Sequence, residues 1–496
     1  MKKIVLSVAI HALAVGPLAA HAVSLNPKGL GQVLIYPYYT VNKSQDTYLS
    51  VANASDVGKV VRVRFHEGYN GRNVLDFTLY LSAHDTWAAT VSAPDATTTS
   101  GARLSWSDNS CIDDLPQNPY PFAPYAYDGG SGMPPDSGPQ TISRTREGHV
   151  EIIALGDIVP GSQLEAAITH VQPDPPTPNG GVPATMNGAA GRCPGVSALA
   201  EGALMAPSSG LFGSGAIVNV GEGTFYPYNA DAITGFTDVP LFASTDQGRN
   251  VTLDDANSSE ATNGVARAYL SDNDGKPLAL DYAAGHGAVS AVFMTDALYN
   301  EYLVGAGLGA NTDWVVTFPT KRFYTDQQIY AGNEISPFEA PFEKGQSNVV
   351  VIPQAYDREE GGFPPAASCP GGSPPECIPP TAQLAYEVNV IGFQASPGSE
   401  SGYASDVLGS TLTSAYFPRL SDTGWAKLDL YASKHTLAGG TSSSGAGVAL
   451  AGLPATGFMV YNIINSNAQP GKLANYSGLF PHRKTLFCQG NDPACP

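Results

Sequence analysis

Three groups of side chains in this chain have the types and spacing to do chemistry. Ser271-Asp272-Asn273-Asp274-Gly275, followed closely by Asp281, gathers oxygen donors of the kind that hold Ca2+. Read as a calcium loop it has Leu270 where the first acid belongs, and it lacks a closing glutamate. Aspartate, asparagine and glycine are also the ordinary residues of a β-turn. Asp272, Asp274 and Asp281 stand as the candidate metal ligands, with Ca2+ the only cofactor the residues suggest.

The second group is DWVVTFPTKRFYTD, residues 313–326. On strand alternation Trp314, Val316 and Phe318 share one face, and Pro319 ends the strand before Lys321 and Arg322. A guanidinium stacked on Phe or Tyr makes a structural brace. The same residues exposed would make a sugar- or peptide-binding platform of Trp314 and Tyr324 with Arg322 as its anchor. The brace is the preferred reading.

The third group is the six cysteines. Cys369 and Cys377 bracket a short Pro/Gly-rich loop, as do Cys488 and Cys495, which leaves Cys111 for Cys193. A zinc site is disfavoured because there is no CxxC and no histidine at ligand spacing beside any cysteine. Disulfide staples in an oxidising compartment are the expectation.

No catalytic or cofactor-binding residue is assigned. GxSxG, HxH and HExxH do not occur. Phe65-His66-Glu67 lies at a strand end and reads as a solvent-facing hairpin pair. Gly305-Ala306-Gly307-Leu308-Gly309 reads as a glycine break after a helix. With 44 acids in the chain, a catalytic carboxylate pair cannot be picked out by spacing.

The elements that must carry these groups are mostly strands. Gly and Pro, 54 and 40 of them, punctuate short runs rich in Val, Ile, Thr, Tyr and Phe. Lys59 to His66 alternates, with Val61, Val63 and Phe65 inward and Arg62, Arg64 and His66 outward. A Gly/Asn turn then leads into Val74 to Leu81, completing a hairpin. Asp85 to Val91 adds a strand and a core Trp87. Further strands are expected at 151–155, 216–220 and 288–293. The one helix expected is Asp296 to Leu303, capped by Thr295.

The fold class is therefore mainly β, with immunoglobulin-like sandwich units, long Pro/Gly-rich loops and a few short helices. The expected order is a signal peptide at 1–22, an N-terminal sandwich unit at 23–110 and a disulfide-tied excursion at 111–200. A middle β region at 201–345, a Pro-rich linker at 346–380 and a C-terminal β region at 381–496 follow.

MKKIVLSVAIHALAVGPLAAHA reads as a secretory signal, with two lysines, an apolar run and a small-x-small cleavage site before Val23. Cleavage removes Lys2 and Lys3 and no acids, taking the formal charge from −19 to −21. So acidic a chain is repelled by phosphate backbones and anionic lipids, which excludes nucleic acid as a partner. No later segment is apolar for long enough to span a bilayer as a helix.

Gln32-Val33-Leu34-Ile35-Tyr36-Pro37-Tyr38-Tyr39-Thr40, Asp313 to Tyr324 and Gly478-Leu479-Phe480-Pro481-His482-Arg483 resemble shared segments of a family of uncharacterised exported proteins of Gram-negative bacteria. The resemblance implies export and one shared architecture, and it carries over no activity, ligand or catalytic residue. The resulting expectation is an exported periplasmic, surface or extracellular protein, structural or adhesive rather than catalytic, whose partners are surface proteins or glycans. The alternatives are a carbohydrate-binding or carbohydrate-processing protein using exposed Tyr and Trp, and a calcium-stabilised matrix component.

Overall fold

The computed structural model describes residues 22–130, 132–171, 181–183, 202–241, 251–257, 265–305, 307–363, 381–394, 405–418 and 421–490. The alternating runs do form strands, and the chain is mainly β, built from antiparallel sheets with a few short helices. The expected hairpin is present. Lys59–Glu67 pairs with Asn73–Leu81, setting Val61 opposite Leu79 and Val63 opposite Phe77.

That hairpin belongs to a first sheet ordered Ser24–Leu25, Asp231–Thr234, Val33–Thr40, Glu147–Ile158, Lys59–Glu67, Asn73–Leu81 and Cys111–Asp113. Segment 111–200, expected as an excursion, thus supplies a central strand of 12 residues, Glu147–Ile158. The strand carrying Trp87, Thr86–Ser92, joins a different sheet. This second sheet is ordered Thr224–Asn229, Leu211–Asn219, Asp46–Asn53, Thr86–Ser92, Arg103–Trp106 and Tyr120–Pro121. The two inner faces share one core, in which Val61, Val63, Phe65, Phe77 and Leu79 meet Leu49, Val51, Trp87, Val91 and Leu104.

The C-terminal half covers the other face of the first sheet. Val33, Ile35, Ile153 and Leu155 join a second core with Trp314, Val316, Phe318 and Leu428. A sheet sandwiched in this way has no solvent side, and every residue of Val33–Thr40, Lys59–Glu67 and Glu147–Ile158 is buried. Arg62, Arg64 and His66, which alternation alone points outward, are therefore interior residues.

Helix and strand exchange places in the middle region. Ala297–Leu303, expected as a helix, is a strand paired along its whole length with Thr423–Asp429. Gly285–Phe293, of which 288–293 reads as a strand, is the helix. All its residues are buried, so no polar face marks the helical period. Its first turn is held by Asp254, whose carboxylate accepts the His286 backbone N–H at 3.1 Å. Gly305 and Gly309 then lie in the loop between Ala297–Leu303 and Ala310–Thr317, not after a helix.

Cys111 and Cys488 are both buried, and no described cysteine is free. Their expected partners Cys193 and Cys495, the Cys369 and Cys377 pair and residues 1–21 of the expected signal peptide lie outside the described residues. Among the described residues no helix is long and apolar enough to cross a membrane.

Candidate functional site

The sequence-predicted groups do not come together, and the structure corrects two of them. Trp314, Arg322 and Tyr324 are 0%, 4% and 4% exposed, so they form no surface platform. Phe318 lies beneath them in the same core because strand Ala310–Thr317 runs through the middle of its sheet, between Val388–Gln394 and Thr456–Gln469. Trp314 packs edge-on against Phe417, with ring centroids 4.5 Å apart, and gives its indole N–H to the Glu301 carbonyl at 3.3 Å. The brace reading describes Arg322, whose guanidinium lies 4.6 Å from the Phe323 ring centre.

The calcium set is also dispersed by its partners. Asp281 sits on Pro277–Tyr282 directly opposite Arg267, whose Nε and NH2 donate to both carboxylate oxygens at 2.5 and 2.8 Å. Asp272 Oδ1 accepts the backbone N–H groups of Asp274 and Lys276, the hydrogen bonds of a tight turn. Asp281 and Asp272 thus serve a cross-strand ion pair and a turn, and the three aspartates are not gathered as one ligand group among the described residues.

What the fold does assemble is a buried polar cluster between the two halves. His149 and Glu151 stand two apart on Glu147–Ile158, on one face, and the register sets His149 opposite His66 and Glu151 opposite Arg64. His66, His149 and Glu151 offer ligand atoms that all lie within 4.8 Å of one another. His66 Nε2 is 3.2 Å from Glu151 Oε2, and His149 Nε2 is 3.5 Å from Glu151 Oε1 and 3.7 Å from Glu387 Oε1. Arg322 bridges the two carboxylates, NH2 donating to Glu151 Oε1 at 2.6 Å and NH1 to Glu387 Oε1 at 3.0 Å.

Burial governs the protonation of this cluster. It drives His66 down to about 3 and lowers His149 as well. Burial also pushes the Glu387 carboxyl up to about 8, against the pull of Arg322. Glu151 goes the other way, because Arg322 and the two imidazoles outweigh its burial and hold it well below the usual carboxylate range. Glu151 is the anion of the cluster, and Arg322 is its fixed cation.

A neighbouring network is saturated and structural. Arg144 gives Nε and NH2 to Glu67 at 2.7 and 2.9 Å, and NH1 and NH2 to Asp136 at 2.7 and 2.6 Å. Arg72 does the same for Asp326, and the Glu67 carboxylate also accepts the N–H groups of Tyr69, Asn70 and Arg72. Here each guanidinium has its carboxylates and each carboxylate its donors.

The open side of the second sheet differs in kind. Across it the register aligns Pro227, Ala216, Tyr48, Thr90 and Ser105 in one row, and Asn229, Ser214, Ser50 and Ala88 in the next. These rows floor a groove of about 730 Å3, walled by Phe225 on one strand and by Leu479 and Pro481 of the C-terminal hairpin. Tyr48 and Phe225 are 47% and 54% exposed. Among the described residues no charged one lines the groove, in a chain of net charge −19.

Sequence reasoning missed both places. His149-x-Glu151 on a strand carries the signal for the first, since alternate strand residues share a face. Tyr48-x-Ser50 on Asp46–Asn53 carries it for the second. No protein-family model, curated protein or solved structure matches the chain.

Proposed function

We propose that this is an exported interaction protein that holds neutral polysaccharide on the open face of its second sheet, the sheet pair acting as an immunoglobulin-like sandwich unit. One observation carries the reading: a groove floored by Ser, Thr, Ala and exposed Tyr48, walled by exposed Phe225, and without a charged side chain among the described residues. The chemistry is that of sugar recognition. Aromatic faces cover the C–H faces of a pyranose, and hydroxyls exchange hydrogen bonds with its own. The absence of carboxylates among the described residues of this lining favours a ligand without charge, because a cationic partner would be drawn to the acids elsewhere and an anionic one repelled by the chain as a whole.

The export reading rests on the signal-like residues 1–22 and on six cysteines spaced as disulfide staples. The binding reading is tested by affinity electrophoresis of the purified protein through gels containing neutral or anionic polysaccharides. Retardation by a neutral polymer, lost by about tenfold in affinity on Tyr48→Ala or Phe225→Ala, is the expected result. Equal mobility in every gel, or retardation that both variants retain, would sink it.

A further inference from the structure

We infer that His66, His149 and Glu151, with Glu387 beside them, form a structural site for a divalent transition metal of the zinc class, buried where the two halves of the molecule meet. Three features of the geometry carry this.

The first is a conflict at His66. Its Nδ1 lies 2.7 Å from the Gly71 carbonyl oxygen, and toward a carbonyl this nitrogen can only donate. In a neutral ring Nε2 is then a lone pair, yet it faces the carboxylate oxygen Glu151 Oε2 at 3.2 Å. Two acceptors so placed need a positive centre between them, either a proton or a metal ion. The proton is the poorer choice because it would make an imidazolium in a wholly buried place. The ring of His149 is stacked on that of His66, with centroids 4.9 Å apart and planes 13° apart.

The second feature is distance. His66 Nε2 stands 3.2 Å from Glu151 Oε2, at the upper limit of an N–H···O bond, and His149 Nε2 stands 3.5 Å from the other oxygen, Oε1, beyond that limit. These two separations are near the distance of about 3.3–3.4 Å between neighbouring ligands on arms of 2.0–2.1 Å, and the donor atoms of the three residues all lie within 4.8 Å of one another. Two imidazoles with carboxylate oxygens are a ligand set that zinc accepts.

The third is the shell behind the ligands. A metal-bound histidine characteristically gives its other ring N–H to a backbone carbonyl, as His66 does to Gly71. Arg322 fixes both carboxylates through separate nitrogens, which sets their orientation. Arg64 gives NH1 to the Val251 carbonyl at 2.8 Å and, among the described residues, to no carboxylate. His149 Nδ1 has no hydrogen-bond partner among the described residues, so that ring is tied down only through Nε2.

All three ligand residues are buried, so an ion would enter while the halves close on each other, and binding would be coupled to folding. The test follows from this. The full chain is unfolded in chelator, refolded with or without Zn2+, freed of unbound metal by gel filtration, and assayed for metal by mass spectrometry. About one ion per chain, with a higher melting temperature than the metal-free preparation, is the expected result. In Glu151→Gln and His149→Gln, checked for folding by circular dichroism, retained metal should fall by about tenfold or more.

Where neither variant folds, refolding the unaltered chain with Co2+ decides. Visible bands of a four-coordinate nitrogen and oxygen site support the proposal, and their absence overturns it. Metal-free protein that melts at the same temperature with and without Zn2+ in refolding also overturns it. So does metal retained equally by the two folded variants, and so does an imidazolium signature at His66 by 15N NMR.

Discussion

The first and second sheets start from the same kind of sequence and end in opposite surroundings. Val61-Arg62-Val63-Arg64-Phe65-His66 and Thr47-Tyr48-Leu49-Ser50-Val51 both alternate, and both send their apolar set into the core they share. The other face of the first sheet is covered by the C-terminal half. Its polar groups had to find partners inside the protein, in Glu151, Arg322, Asp136 and Arg144. The other face of the second sheet stays open and needs none, which is why small hydroxyls and loose aromatic rings suffice there. A polar alternate face therefore marks a sheet as two-sided in character without saying whether water or protein lies against it.

Breaking the covered face should give the largest effect. Arg322→Ala leaves Glu151 and Glu387 buried without their guanidinium, and a loss of about 3–5 kcal/mol in urea unfolding is expected. A loss under about 1 kcal/mol would mean that water reaches the cluster, and the contrast between the sheets would fail.

Gly71 offers a backbone test of the same packing. It holds φ +66, and a Cβ there would stand 2.1 Å from Glu387 Oε2. Gly71→Ala should therefore destabilise by about 1–3 kcal/mol through strain and displacement of that carboxylate. Thermal melts that superpose on the wild type would show that the turn and Glu387 give way freely.

A third test asks whether the interior titrates as burial requires. Asp313 accepts the backbone N–H groups of Val407 and Leu408 at 3.0 and 2.8 Å, and burial pushes its carboxyl up to about 6. Below about pH 4 the group is neutral in the folded and unfolded chain alike. Between about pH 4 and 6 the unfolded chain gives up a proton that the folded chain keeps, so the contribution to stability is lost as pH rises through the folded value. Asp313→Asn removes this step. Its stability relative to wild type should rise across that window by on the order of 1–3 kcal/mol, as followed by denaturation at several pH values. A pH-independent difference would show Asp313 to be solvated.

The smallest effect belongs to the open face. Tyr48→Lys should change stability by no more than about 0.5 kcal/mol, while abolishing any polysaccharide retardation. Destabilisation approaching that of Arg322→Ala would mean that the face is covered after all.

Much of the architecture was legible in the residues. The hairpin from Lys59 to Leu81, the core role of Trp87 and the mainly β composition all follow from local alternation and turn chemistry. Ala297–Leu303 and Gly285–Phe293 were misread for one reason: helical propensity and β-branching are weak beside seven paired residues in one case and burial on every side in the other. Arg322 could be recognised as a brace from its neighbours Phe323 and Tyr324. Its carboxylate partners could not, because Glu151 and Glu387 lie 171 and 65 positions away.

By itself, then, the order of residues determined which segments extend, where they turn and which side chains of each strand are apolar, since these depend on neighbours one to four positions apart. Only the tertiary structure decided which polar faces meet protein and which meet water. It alone brought His66 beside His149 and left Tyr48 on the outside. The reason is physical: a strand's alternation is set by its own backbone geometry, whereas the medium on each side is set by chain hundreds of residues distant that folds back against it or does not.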